Sequence, residues 1–125
     1  MQSNKSISIL FLFILTGLFA SCSNVQKTND KKVLIYTRNG EGFVHDNIQA
    51  SVDMLSELCT QNEIAFEVSD DPVVFTEENL IQYDALIFSN TNNDAFLTDT
   101  QRLAFKRYIQ AGGGFVGIHS ACGSV

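Results

Sequence analysis

The chain has 125 residues, 45% of them hydrophobic and 10% aromatic, with a single Pro and eight Gly. That length and composition predict one globular domain and exclude a disordered or collagen-like chain. The formal net charge is −6, from 8 Lys+Arg against 14 Asp+Glu. Its basic residues are scattered, apart from Arg102, Lys106 and Arg107 on one predicted helix. A nucleic-acid binder needs a basic face to track phosphates, so nucleic acid is not expected as a partner.

The first segment reads as an address. Lys5 precedes an almost unbroken apolar run from Ile7 to Ala20. That run is shorter than the roughly 20 apolar residues of a spanning helix and fits a signal-peptide core. It ends at Phe19-Ala20-Ser21-Cys22, which resembles a bacterial lipobox, with Phe19 where Leu is commoner. The alternatives are an ordinary secretory signal or an uncleaved anchor.

The expectation is a lipoprotein signal peptide over residues 1–21, with lipid on Cys22 after cleavage. A polar tether follows over residues 22–32. Such a protein is placed in the bacterial cell envelope, lipid-anchored, at the periplasmic or outer-membrane face, with the membrane as a partner. Cys59 and Cys122 then remain. Two thiols in an oxidising compartment can pair, but their spacing gives neither a zinc knuckle nor a CxxC motif. Cys59 falls on an apolar helical face and is expected to be a buried structural thiol.

The body, residues 33–125, alternates strand and helix. The run Lys32-Val33-Leu34-Ile35-Tyr36-Thr37 is continuously apolar rather than alternating, as in a parallel strand covered on both faces. After a glycine-containing loop, Ile48, Val52, Leu55, Leu58 and Cys59 mark one face of a helix, with Asp46 as its predicted N-cap. Ile64 to Val68 is a second strand, broken by Asp70-Asp71-Pro72. A short helix follows from Thr76 to Tyr83, and Ala85 to Ser89 is a third strand.

Asn90 to Leu97 reads as a polar loop. Thr98 and Gln101 have capping-box spacing and open a helix whose apolar face carries Ala104, Phe105, Tyr108 and Ile109. Gly112-Gly113-Gly114 stops that helix; it precedes a strand, so it cannot cradle a phosphate at a helix N-terminus. Phe115 to Ile118 is the fourth strand, leading into His119-Ser120-Ala121-Cys122-Gly123. This order predicts an α/β fold with a parallel sheet and right-handed crossovers. A doubly wound domain usually has five or more strands, so the sheet is expected to be incomplete at the C-terminus and the chain an N-terminal fragment.

Ligands of open α/β sheets bind beyond the carboxyl ends of the strands. That rule gathers both histidines, His45 after the first strand and His119 after the fourth. His119 is a candidate general base or ligand of a divalent metal, with donation to a backbone carbonyl as the bland reading. His45 is its candidate partner in either role, or simply part of the helix start. Asn90 and Asn92 are candidate sugar-binding amides, or ordinary turn chemistry.

The stretch Gly112-Gly113-Gly114-Phe115-Val116-Gly117-Ile118-His119-Ser120-Ala121 resembles the signature of the ThuA-like (trehalose utilisation) family. The segment Gly42-Phe43-Val44-His45-Asp46-Asn47-Ile48 is similar to another of its motifs, Gly-Phe-x-His-x-x-Ile. That resemblance implies a flavodoxin-like, class I glutamine amidotransferase-like three-layer sandwich. In that superfamily a Gly-x-Cys turn exposes a nucleophile. Gly117-Ile118-His119 matches it by position, so an imidazole stands where a thiol is expected. Glutamine amidotransferase activity is therefore not implied. Cys122 lies about a helical turn further on and is not promoted to nucleophile. The resemblance implies a small-molecule carbohydrate ligand, with His45 and His119 as site residues. The alternatives are a non-catalytic ligand-binding or interaction module, or an inactive fragment.

Overall fold

The computed structural model describes residues 30–123. The predicted signal peptide, Cys22, most of the tether and the Cys122 side chain lie outside the described residues. Four strands, β1 (Lys32–Tyr36), β2 (Ala65–Ser69), β3 (Ala85–Ser89) and β4 (Gly114–Ile118), form one sheet. Its order is β2-β1-β3-β4, with every pairing parallel. The intervening helices are α1 (Ile48–Gln61), α2 (Glu77–Leu80) and α3 (Asp99–Gln110). A 3-10 turn covers Pro72–Val74 and another His119–Gly123. Among the described residues no helix is long and apolar enough to cross a membrane.

Strand periodicity splits the sheet residues between two faces. Leu34, Tyr36, Leu86 and Phe88 join a buried cluster with Phe75, Leu80, Tyr83, Phe96 and Ala104. Phe75 is its hub, with ring centroids 4.8 Å from Tyr36, 4.8 Å from Phe96 and 5.8 Å from Phe88. These edge-to-face pairs add specific geometry to the burial of large apolar area. On the other face, Val33 and Ile35 are buried, as are Leu55 and Cys59 of α1. Burial pushes the Cys59 thiol pKa up, as suits a structural thiol.

The caps explain the helix limits, with one correction. Thr98 and Gln101 of α3 form the reciprocal capping box that their spacing predicts. Thr76 accepts from the Asn79 amide at the start of α2. The N-cap of α1 is Asn47, not Asp46, and no side chain caps that helix. At the end of α3, Gly112 has φ +95°; its amide donates to Ile109 and that of Gly113 donates to Tyr108. That pair of bonds is a Schellman stop, and the left-handed conformation favours glycine.

Burial departs from helical period at the sheet margins. Leu58 and Ile109, predicted on apolar faces, are exposed. Among the described residues β2 and β4 each have one neighbour, so Phe66, Val68 and Phe115 keep part of their surface and Val116 is 48% exposed. The loop after β3 departs in the opposite sense. Its first two residues, Asn90 and Thr91, are fully buried, and Ala95 and Phe96 belong to the core.

Candidate functional site

All four strands run the same way, so their carboxyl ends share one rim of the sheet. His119 follows β4 directly, with φ +57°. A non-glycine residue in that left-handed region is strained, and the sharp strand-to-turn bend presents its side chain at the rim. His119 is exposed, while His45, in the loop between β1 and α1, is half-buried. Their ring centroids lie 4.3 Å apart at an interplanar angle of 57°. The chain thus brings together two residues that are 74 positions apart. On the far side of His45, the Phe43 ring sits edge-on at 4.9 Å.

The register places Asn90 level with His119. Ser89 pairs with Ile118, and the Asn90 amide donates to the Ile118 carbonyl at 3.2 Å. Asn90 also has a positive φ, +55°. Its side chain donates to Ser89 Oγ at 3.3 Å, and Ser89 Oγ lies 2.7 Å from Ser51 Oγ of α1. Its own Oδ1 is buried without a hydrogen-bond partner, as is Asn39 Oδ1 in the loop after β1. Buried acceptors are rarely left so. The Ser120 hydroxyl donates to the Thr91 carbonyl at 3.0 Å, fastening the turn that carries His119 to the loop after β3.

That same loop holds the segment before His45. Asn92 Nδ2 donates to the Phe43 carbonyl at 2.9 Å, and Asn93 Nδ2 donates to the Glu41 carbonyl. Arg38 Nε donates to the Asp94 carbonyl at 2.9 Å, and Asn39 forms a parallel bridge with Asn92. The loop is itself moored to the core, where the buried Tyr36 hydroxyl donates to the Ala95 carbonyl at 2.6 Å. Burial drives the Tyr36 pKa well above the usual phenol range, so the donor stays protonated. The two expected sugar-binding amides therefore have placements of their own: Asn90 is enclosed beneath the rim and Asn92 ties two loops. In sequence, the turn-forming character of Asn93 is indistinguishable from that of its neighbours in the polar stretch 90–94.

Two imidazoles at a rim supply general acid–base chemistry near neutral pH, or two nitrogen ligands. Zinc sites usually draw three or four ligands from the protein. Among the described residues no group of three or more His, Cys, Asp or Glu is placed to hold a metal. Two imidazoles alone fall short of such a set.

A groove of about 440 Å³ lies at the opposite end of the sheet. Tyr83, Asp84, Arg107, Tyr108 and Gly113 line it, and Asp84 and Gly113 immediately precede β3 and β4. Five strand residues, roughly 16 Å, separate that end from the imidazoles. Its polar groups are engaged with one another: Tyr108 donates to the Tyr83 carbonyl at 3.1 Å, and Arg107 pairs with Glu77. It is separate from the histidine site.

Comparison with known proteins bears on the fold and the family. No curated protein matches the chain. A crystal structure of a ThuA-like protein from Bacteroides uniformis superposes with a TM-score of 0.61 at 25% identity. The match covers 80% of this chain and 40% of that one. This chain therefore spans less than half the length of that protein. The family model described as trehalose utilisation, ThuA, matches residues 32–125, which takes in the whole sheet and both histidines. With its parallel flavodoxin-like α/β architecture, the chain belongs to the ThuA family.

Proposed function

We propose that this ThuA domain acts on or binds a carbohydrate or sugar derivative at the carboxyl rim of the sheet, with His119 as the central polar group and His45 as its partner. The observation that carries the reading is the imidazole pair, 4.3 Å between centroids, mounted on a left-handed turn at a strand end. One exposed and one half-buried imidazole can share acid and base roles toward a hydroxyl-bearing ligand. The family's description as trehalose utilisation supports a sugar as the ligand class. Glutamine hydrolysis is not proposed, because the turn carries an imidazole where that chemistry uses a thiolate.

Export and a lipid on Cys22 complete the proposal, since an enveloped sugar-handling protein meets its ligand outside the cytoplasm. Cys22→Ser is expected to move the protein from the membrane fraction to the soluble fraction on cell fractionation. A divalent cation would take the two imidazole nitrogens as ligands.

A second reading has its own support. Among the described residues no ion pair reaches either imidazole, whereas a catalytic base is usually oriented by a third group. That favours a ligand-binding module without turnover. Titration of the full-length protein with trehalose and with glucose, followed through the imidazole Cε1–H NMR signals, tests the site. Both signals are expected to move, and His119→Ala or His45→Ala to weaken binding at least tenfold. Unchanged binding in both variants overturns the site. Repeating the titration with Zn²⁺ separates the cation from the acid–base role, and product analysis separates turnover from binding.

A further inference from the structure

Phe43 is a large apolar ring left 71% exposed, directly beside the histidine pair. Exposed aromatics are common enough singly to need no explanation. This one differs in how it is held. Its carbonyl is gripped by Asn92, the carbonyl of Glu41 two residues earlier is gripped by Asn93, and Gly42 between them has φ +121°. These two side-chain bonds fix the backbone from which the ring projects, while among the described residues the ring itself stays largely uncovered. On its inner side the ring meets His45 at 4.9 Å and 78°, and His45 meets His119. Pairwise contacts thus link the three rings, with His45 between Phe43 and the His119 turn. Of the three, only Phe43 lacks a polar atom.

We propose that Phe43 is the stacking platform of the site, against which the apolar face of a pyranose ring lies while its hydroxyls reach His45 and His119. Sugar rings carry faces of C–H groups, polarised by the neighbouring oxygens, that are attracted to the negative face of an aromatic quadrupole. The clamped backbone removes the loop-ordering part of the binding cost, because residues 41–43 are already held in place. The ligand class that follows is a saccharide with an exposed C–H face, rather than a linear polyol, which has no such face. This inference rests on the sugar-site reading above and deepens it.

The chain contains no Trp, so Phe43→Trp introduces a single indole reporter at the platform. In the full-length protein, titration with glucose and trehalose is expected to quench or blue-shift its emission saturably, while sorbitol, the linear polyol of the same carbon number, does not. Phe43→Ala is expected to weaken glucose and trehalose binding roughly three- to tenfold, with Phe43→Trp restoring it. Because the ring is exposed, neither change is expected to disturb folding, which thermal unfolding verifies. Wild-type affinity in Phe43→Ala alongside loss of binding in His119→Ala would overturn the platform and leave the histidine site standing. Equal binding of sorbitol and glucose overturns the stacking class. Unaltered sugar binding in both Phe43→Ala and His119→Ala overturns both readings together.

Discussion

The two ends of this sheet are built on different terms. At the amino end, polar groups are matched: Asp84 accepts from Lys31 Nζ and the Lys32 amide, Tyr83 donates to Glu67, and Tyr108 donates to the Tyr83 carbonyl. Among the described residues, three of the four non-glycine residues with positive φ, Asn90, Asn93 and His119, stand at the carboxyl end; the fourth, Glu63, follows α1. Two buried amide oxygens without partners, those of Asn39 and Asn90, are there too, as is Phe43 with its exposed ring. Strain and unmet hydrogen bonds persist only where the surroundings over-determine them, and they gather at functional sites. One end has its polar groups matched, and the other concentrates the strain and the unmet acceptors on which the proposed site rests.

Substitutions should therefore separate the two properties. The largest effect is expected at the amino end. A Cβ on Gly113 would fall 2.2 Å from the Tyr108 ring. Gly113→Ala must push that ring aside and disturb its hydrogen bond to the Tyr83 carbonyl, so a loss of about 2 kcal/mol is expected from urea unfolding, with sugar affinity unchanged. At the carboxyl end the signs reverse. His119→Gly relieves a left-handed conformation and is expected to gain about 1 kcal/mol while abolishing binding. A parallel loss of stability and binding in both variants would dissolve the contrast.

The smallest effect concerns pH. The Tyr83 hydroxyl and Lys32 hold the Glu67 carboxyl below its ordinary pKa, the Tyr83 bond being the larger cause. A depressed folded-state pKa gives stability that is present above the unfolded value and lost as pH falls through the folded one. Burial first, and the Glu67 bond second, push the Tyr83 pKa up to about 12. Its contribution is full below the ordinary phenol value and lost as pH climbs toward the raised one. Tyr83→Phe is expected to cost about 1 kcal/mol at neutral pH and to flatten both limbs, as read from unfolding midpoints across pH. Sugar binding should not follow these limbs.

Much of this architecture is legible in the chain because it depends on neighbours in sequence. Continuous apolar runs mark β1 and β3, Thr98 and Gln101 announce α3, and two glycines end it. What local reading misses depends on register. Leu58 and Ile109 obey helical period yet remain exposed, because coverage at a sheet margin is decided by which strands lie there. Asn90 and Thr91 look like surface loop residues by composition. They are buried because β3 pairs with β4 and carries them under the rim. The convergence of His45 and His119 follows from topology alone, since parallel strands deliver every strand end to one side. The service of Asn92 and Asn93 as clamps arises only in the folded rim, because an amide's partner 49 or 52 residues away leaves no local trace.

The clamp has a consequence for how this rim can change. Asn92 and Asn93 hold carbonyls, not side chains, so the path of residues 41–43 leaves the side chain at position 43 free to vary, while φ +121° keeps position 42 a glycine. Scaffold and specificity are thereby decoupled. A lineage, or an engineer, can exchange the ring at Phe43 for another shape and change the surface beside the imidazoles, without rebuilding the loop that presents it.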